Sequence, residues 1–571
     1  MKKFLIQEII FILLLCSGVV KADYKYEDDF NYVIIDGEIE ITGCMSTEEV
    51  IIVPEEIDGL PVTRIWEYAF SFCENEKEIV LPDSIKEIGE VAFANNYMLE
   101  KINLPKELKT IPNSCFYGCY NLKEITIPEG VTKIGASAFE GCTKLSTINI
   151  PTSLTEIEEN VFKGCTGLKK IDIEDIASYL NIDYKNREAC PAYFASEIYL
   201  DGEELTELTV PDTVKEIPHY GFYKCDSLKN IKIPDSVTKI GYYAFFGCDG
   251  ITDIPLSGGP LVIQDYAFSR CSGLTDITLE NVTEIGRGAF EYCVNLANVQ
   301  ISGEAKTIKE DAFNDCLKLT DVVISDNVTT IGRDAFLNTP LLNDSSNWEN
   351  SALYIGKHLI KVGDVSGEYT IKDGTVTIAT RALEECNSMT DAVIPNSVQN
   401  INQYAFYKCN NLKNVVIGTG VRTILSHTFY NCPLIETISI QRNIRNIKYQ
   451  AFYKSTAVKN IKYYGSESEW EKVTIDVMND NLVNASKYYL PVSIRTEKSV
   501  NEYIVIPTNV PKKSSIVFVC YKDGKPVYIE TYVYGDEEKL IFRSDIKYDR
   551  IKIFVWSDFK NCLPLCSPES I

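Results

Sequence analysis

Residues 119–142 read CYNLKEITIPEGVTKIGASAFEGC, and near-copies of this phrase fill most of the 571-residue chain. Ile125-Thr126-Ile127 alternates apolar and polar, the mark of a short strand with its aliphatic side chains on one face. Pro128 then ends that strand by removing a ladder donor. In VTKIG, Val131 and Ile134 make a second short extended segment, and Ala138, Phe139 and Cys142 supply a third apolar stretch. One copy has nothing to bury these side chains against. Stacked copies bury them against each other.

The Phe of the Ala-Phe pair sets the period. It recurs at Phe70, Phe93, Phe116, Phe139, Phe162, Phe222, Phe245, Phe268, Phe290, Phe313, Phe336, Leu383, Phe406, Phe429 and Phe452. Eleven of the fourteen steps are 23 residues, one is 22, and the long ones are 60 and 47. A step of 47 holds a degraded coil, and a step of 60 holds a coil and an insertion. About seventeen coils are therefore expected, forming a rod of roughly 80 Å if strands stack about 4.8 Å apart.

These residues resemble the BspA-like subgroup of leucine-rich repeat proteins, whose repeats look like IPxSVTxIGxxAFxxCxxLxxI, over roughly residues 50 to 465. The resemblance implies a repeat solenoid: a right-handed curved leucine-rich-repeat array with a parallel β-sheet on its concave face. It also implies a secreted or cell-surface binding protein that is not an enzyme. One departure stands out. Here Cys precedes the strand by several residues and Pro closes it, whereas the general leucine-rich pattern places Asn or Cys after the strand.

The flanks read differently. Residues 1–22 have the order of a secretory signal: Lys2-Lys3, an apolar run from Ile9 to Leu15 too short to span a bilayer, then Val20-Lys21-Ala22, with cleavage expected after Ala22. Leu15 is too bulky for the small residue that normally precedes a lipidated cysteine at Cys16. Residues 23–50 alternate around Asp36-Gly37 and are expected to form a β-hairpin cap. The solenoid is assigned to 51–465, with irregular coils near 171–205 and 345–380, and a C-terminal cap to 466–490. Residues 491–571 alternate without the period and read as a small all-β, sandwich-like domain.

Composition narrows function. With 81 acidic against 56 basic residues the net charge is −25, or −27 once residues 1–22 are removed. Such a surface repels nucleic acid and anionic lipid. His219, His358 and His427 are far apart, and no phosphate loop, zinc-protease or hydrolase motif occurs, so no catalytic residue, metal or cofactor is assigned. The repeat cysteines Cys119, Cys142, Cys165, Cys225, Cys248, Cys271, Cys293, Cys316, Cys386, Cys409 and Cys432, with Cys73 before them, read as a structural ladder of buried thiols that point the same way. Cys520, Cys562 and Cys566 are the candidates for an isolated bridge or a reactive thiol.

Residues flanking the first Ile of each Ile-x-Ile should face outward and line the concave sheet. Asn230, Lys232, Asp253, Asp276, Thr278, Asn298, Gln300 and Asp321 are the candidate ligand-binding positions, although stacked Asx side chains can equally bond one another. The 34 tyrosines favour recognition surfaces. The expected role is adhesion to an extracellular protein or glycan by a chain expected to be monomeric, with an accessory enzyme active in 491–571 or 171–205, or an envelope structural protein, as alternatives.

Overall fold

The computed structural model describes residues 25–27, 29–73, 75–256 and 259–490, and seven strands between 493 and 570. The signal segment 1–22, with Cys16, and both Cys562 and Cys566 lie outside the described residues. The repeats form a parallel β-solenoid of about 19 turns. Ser486–Tyr489, at the end of the array, is a rung with no Ala-Phe pair after it, so a count of that pair leaves it out. Two compact units make up the chain: Met1–Glu304 with Asp311–Asp321 and Phe336–Pro340, and Ala305–Glu310 with Val322–Ala335 and Leu341–Ile571.

In the first unit, Glu124–Ile125, Thr147–Ile150, Lys170–Ile173 and Glu197–Leu200 pair in parallel with equivalent residues facing, as in Thr147 opposite Lys170. The VTKIG segments make a second parallel ladder, Thr110–Ile111, Lys133–Ile134, Glu156–Ile157 and Asp183–Tyr184. The Ala-Phe side is bonded from coil to coil as well: Ser114, Phe116 and Gly118 N–H donate to Ala136, Ala138 and Glu140 carbonyls, each at 2.8 Å. That third ladder uses an unusual backbone. Residues two before and two after each Phe are left-handed, for instance Asn160 at φ +62° and Gly164 at +79°. A non-glycine residue there carries a penalty of about 1–2 kcal/mol, which the coil-to-coil hydrogen bonds and buried side chains offset.

Inside, the phenylalanines stack face to face. Phe93 to Phe116 is 5.5 Å and Phe116 to Phe139 is 5.4 Å between centroids, and the second run starts with Phe222 to Phe245 at 5.2 Å. The 60-residue step separates these runs. Here the chain makes a short helix, Ile176–Leu180, capped by Asp175, then two 3-10 turns, and then a hairpin, Glu197–Leu200 with Glu203–Glu204. Tyr179 from the helix packs edge-on to Phe222 at 6.2 Å and donates its hydroxyl to Gly221 O at 2.7 Å. It plugs the place where the Phe column is interrupted.

At the start of this unit, Phe30–Ile35 and Glu38–Cys44 form a hairpin whose turn, Asp36-Gly37, has both residues at positive φ, as a type I′ turn requires.

The second unit repeats the pattern. Gly367–Thr370, Met389–Ile394, Asn414–Ile417, Thr437–Gln441, Asn460–Tyr464 and Ser486–Tyr489 form one parallel sheet. Its irregular coil is the hairpin Ala352–Ile355 with His358–Val362. Asn402 bridges there, accepting from Ile331 N–H at 2.7 Å and donating to Thr329 O at 2.9 Å. Near the end, Ser466 and Glu469 form a capping box on the helix Glu467–Trp470, and buried Trp470 meets Tyr463 at 5.1 Å. Beyond the array, Ser493–Ser499, Glu502–Thr508 and Leu540–Phe542 form one antiparallel sheet. Lys525–Val533, Ser515–Lys522, Arg550–Trp556 and Glu569–Ser570 form another. Residues Ile516 to Cys520 are all buried, so this central strand is covered on both faces.

Candidate binding surface

Each Ile-x-Ile strand turns its aliphatic residues inward and leaves their neighbours outside. Asn230 and Lys232 are exposed on either side of buried Ile231, Asp276 and Thr278 beside Ile277, and Asn298 and Gln300 beside Val299. Register places Asp276 opposite Asn298 and Thr278 opposite Gln300. The amides are committed sideways: Asn298 Nδ2 donates to Asp276 Oδ1 at 2.5 Å and Asn230 Nδ2 to Glu207 Oε1 at 3.2 Å. Hydrogen bonds from Asn298 and Thr275 hold the Asp276 carboxyl below the usual carboxylate range. Lys232, Thr278 and Gln300 make no side-chain hydrogen bond or ion pair among the described residues, and their polar groups face water.

Two of the expected positions sit differently. Asp253 is exposed but lies outside any strand, and its Oδ1 accepts from Ile254 N–H at 2.8 Å. Pro255 follows at once, and only an isolated bridge, Ile233 to Leu256, marks this rung. A proline and an Asx turn thus take Asp253 off the sheet. Asp321 is exposed at the start of its strand, but its outward neighbour is apolar Val323, 53% exposed.

The thiols are inside. All sixteen described cysteines are buried. Cys119 Sγ donates to Phe93 O at 3.1 Å, Cys142 to Phe116 O at 3.3 Å, Cys165 to Phe139 O at 3.2 Å and Cys248 to Phe222 O at 2.9 Å. The pattern continues from Cys271, Cys293 and Cys316 to Phe245, Phe268 and Phe290 carbonyls. In the second unit, Cys409 and Cys432 reach the carbonyls of Leu383 and Phe406, and Cys386 that of Gly363. Cys225 meets Ser227 Oγ instead, at 3.6 Å. The carbonyls of Phe116, Phe139, Phe222, Phe245, Phe268 and Phe290 also take the N–H of the Cys three residues on, as in Cys119 N to Phe116 O at 3.1 Å, so both their lone pairs are used. Ser455, in the Cys position, does the same job, donating to Phe429 O at 2.8 Å. Burial pushes Cys119, Cys165, Cys190 and Cys386 up to about 12, far from a reactive thiolate.

Repeats that join their strand row, their carbonyl-bonded thiol and their Ala-Phe turn in one 23-residue unit match the BspA type leucine rich repeat region. That family's model fits in six copies, over residues 44–178, 194–320, 261–361 and 368–476. The chain belongs to this family. Among solved structures, it is similar to a leucine-rich repeat protein from Bacteroides ovatus at 23% identity, over 77% of this chain and 99% of that one, with a TM-score of 0.39. A leucine rich cell surface protein from Faecalibacterium prausnitzii has 21% identity over 79% and 98%, with a TM-score of 0.21. The pneumococcal vaccine antigen PcpA has 15% identity over 84% and 99%, with a TM-score of 0.28. No curated protein matches the chain.

In this BspA-type array the titratable side chains are spread over separate coils. The three histidines are engaged separately: His219 accepts from Tyr242 N–H at 2.8 Å, His358 is buried with Nε2 at 3.1 Å from Ser325 O, and His427 Nε2 meets Gln450 Oε1 at 2.8 Å. Among the described residues, no group of three or more His, Cys, Asp or Glu is arranged to hold a metal ion, and no helix is long and apolar enough to cross a membrane. Glu40, Glu67, Glu87 and Glu90 surround a shallow depression of about 250 Å³ beside Trp66, where burial raises the Glu40 carboxyl. In the 171–205 excursion, Tyr179 and Tyr184 are driven up by burial and serve as packing.

Sequence reasoning missed a second face, one of half-buried rings. Aromatic residues cluster on the Ala-Phe turns, for example Tyr220, Tyr243 and Tyr266, each two residues before its Phe. The signal in the sequence is a Tyr at three positions 23 residues apart, Tyr220, Tyr243 and Tyr266, which a tyrosine total hides.

Proposed function

We propose that this chain is a secreted or cell-surface, non-catalytic adhesion protein that holds an extracellular protein or glycan against the outward row of its Ile-x-Ile strands. The observation that carries the reading is the exposed row itself, in which Lys232 on one parallel ladder and Thr278 and Gln300 on the next present donors and acceptors that no other side chain takes. A preorganised row of this kind binds without ordering loops, which keeps the entropic penalty small. The acidic total directs the choice away from polyanions, and the signal-like N-terminus supports export.

The test is a panel of extracellular-matrix proteins and glycans immobilised for binding to the purified full chain. Saturable binding to at least one member, weakened about tenfold or more in a Lys232→Ala, Gln300→Ala double variant, is the expected result. No saturable binding, or binding indifferent to the double variant, overturns the strand row as the site.

A further inference from the structure

The Ala-Phe turns of the first unit carry a surface that the repeat does not need. Two positions per coil are left-handed; Gly118, Gly141, Gly164, Asn160 and Asp311 hold some of them in this unit, and Tyr68, Phe72 and Val91 hold others. Four neighbouring coils bring large aromatic and basic side chains together there. Tyr220, Tyr243 and Tyr266 take the first position at φ +61°, +55° and +59°, and Lys224, Arg270 and Tyr292 take the second at +58°, +63° and +60°.

Together they make an ordered strip. Tyr220, Tyr243 and Tyr266 stack in parallel at 5.3 and 4.9 Å, and Tyr223 stacks on Phe246 beside them at 5.0 Å. Arg270 lies over the Tyr292 ring at 4.6 Å and Lys224 over Tyr223 at 5.3 Å. Neither cation has an ion-pair partner among the described residues, and none of these tyrosine hydroxyls makes a hydrogen bond there. Burial of the rings raises Tyr220, Tyr223, Tyr243 and Tyr266, so the hydroxyls stay protonated and able to donate.

We propose that this strip is a binding site for a neutral, extended polysaccharide chain lying along the stacking direction. The hydroxyls form a row with a step of about one coil, and the outer edges of the stacked rings meet the sugar chain while their hydroxyls, Lys224 and Arg270 donate to sugar oxygens. A peptide lying along the strip would advance about 3.3 Å per residue and fall out of step with rings 4.9 to 5.3 Å apart. A linked hexose is longer than an amino-acid residue and keeps pace. The net charge of −25 disfavours an anionic polymer. The site is separate from the strand row and does not rest on it.

The experiment is affinity electrophoresis of the full chain through gels holding glucomannan, xyloglucan or mixed-linkage β-glucan, with polygalacturonate and poly-glutamate as comparisons. Variants Tyr243→Asn with Tyr266→Asn, and Arg270→Gly, put residues that tolerate a left-handed backbone at those positions, so each should fold; urea midpoints check this. Retardation by at least one neutral polymer, weakened tenfold or more in the tyrosine double variant and several-fold in Arg270→Gly, is the expected result. No retardation by any of the three neutral polymers, retardation equal in variants and parent, or equal retardation by polygalacturonate or poly-glutamate overturns the proposal.

Discussion

A Cβ at Gly135 would stand 2.5 Å from Asn113 N and 2.7 Å from Pro112 C, both backbone atoms of the preceding coil. The Gly of VTKIG is therefore a spacing requirement between stacked coils and not a turn requirement, since Gly135 has no positive φ. Gly135→Ala is expected to destabilise the chain by about 3 kcal/mol, the upper end of overpacking, read as a lower urea midpoint with unchanged slope. The ladder thiols behave as weak donors in a tight core. Ser455 shows that a hydroxyl fits the same position, so Cys165→Ser should fold, and losses beyond about 1 kcal/mol at neutral pH would show that sulfur packing, and not the bond to Phe139 O, dominates. All of these residues were visible as repeat positions. What each one bonds to was not, because a carbonyl belonging to the previous coil has no signature 23 residues away.

The strands are short, often two residues, and are held by their neighbours in the stack rather than by their own length. This makes interruptions the sensitive elements. At the 60-residue step, Tyr179 stands in for the Phe column, and its hydroxyl satisfies Gly221 O at 2.7 Å in a fully buried place. Tyr179→Phe leaves that carbonyl without this donor and should lower stability by about 1–3 kcal/mol, while the same change at exposed Tyr242 should be silent within ~0.5 kcal/mol; urea titration of both variants checks the contrast. The excursion was legible as a break in period followed by a hairpin. That its helix returns a tyrosine to the core was not legible, because nothing local distinguishes Tyr179 from a surface tyrosine. Asp253 is the converse case: its place in the count put it on a strand, but Pro255 ended the rung.

Across the molecule, the buried thiols couple stability to alkaline pH. An unfolded Cys ionises near 8.5, whereas Cys119, Cys165, Cys190 and Cys386 are held to about 12 when folded. Their folded pKa is raised, so the stability they contribute is intact below about pH 8.5 and is lost as pH rises from there toward 12, by about 1.4 kcal/mol per pH unit for each thiol. Urea titrations at pH 8, 9 and 10 should show stability falling steadily, and Cys165→Ser should make that slope shallower by one thiol's share; an unchanged slope would refute the buried-thiol account. The chain's own order of residues dictated the solenoid, its period, the inward Leu, Ile, Phe and Cys, and the acidic surface, because a repeat is a local rule applied many times and each copy faces an identical neighbour. Stacking alone decided which outward side chains are consumed by each other, as Asn298 and Asp276 are, and which remain open, as Gln300 and the tyrosine strip do. The physical reason is that those contacts join residues one coil apart at distances of a few ångströms, and only the register between coils determines which atoms meet.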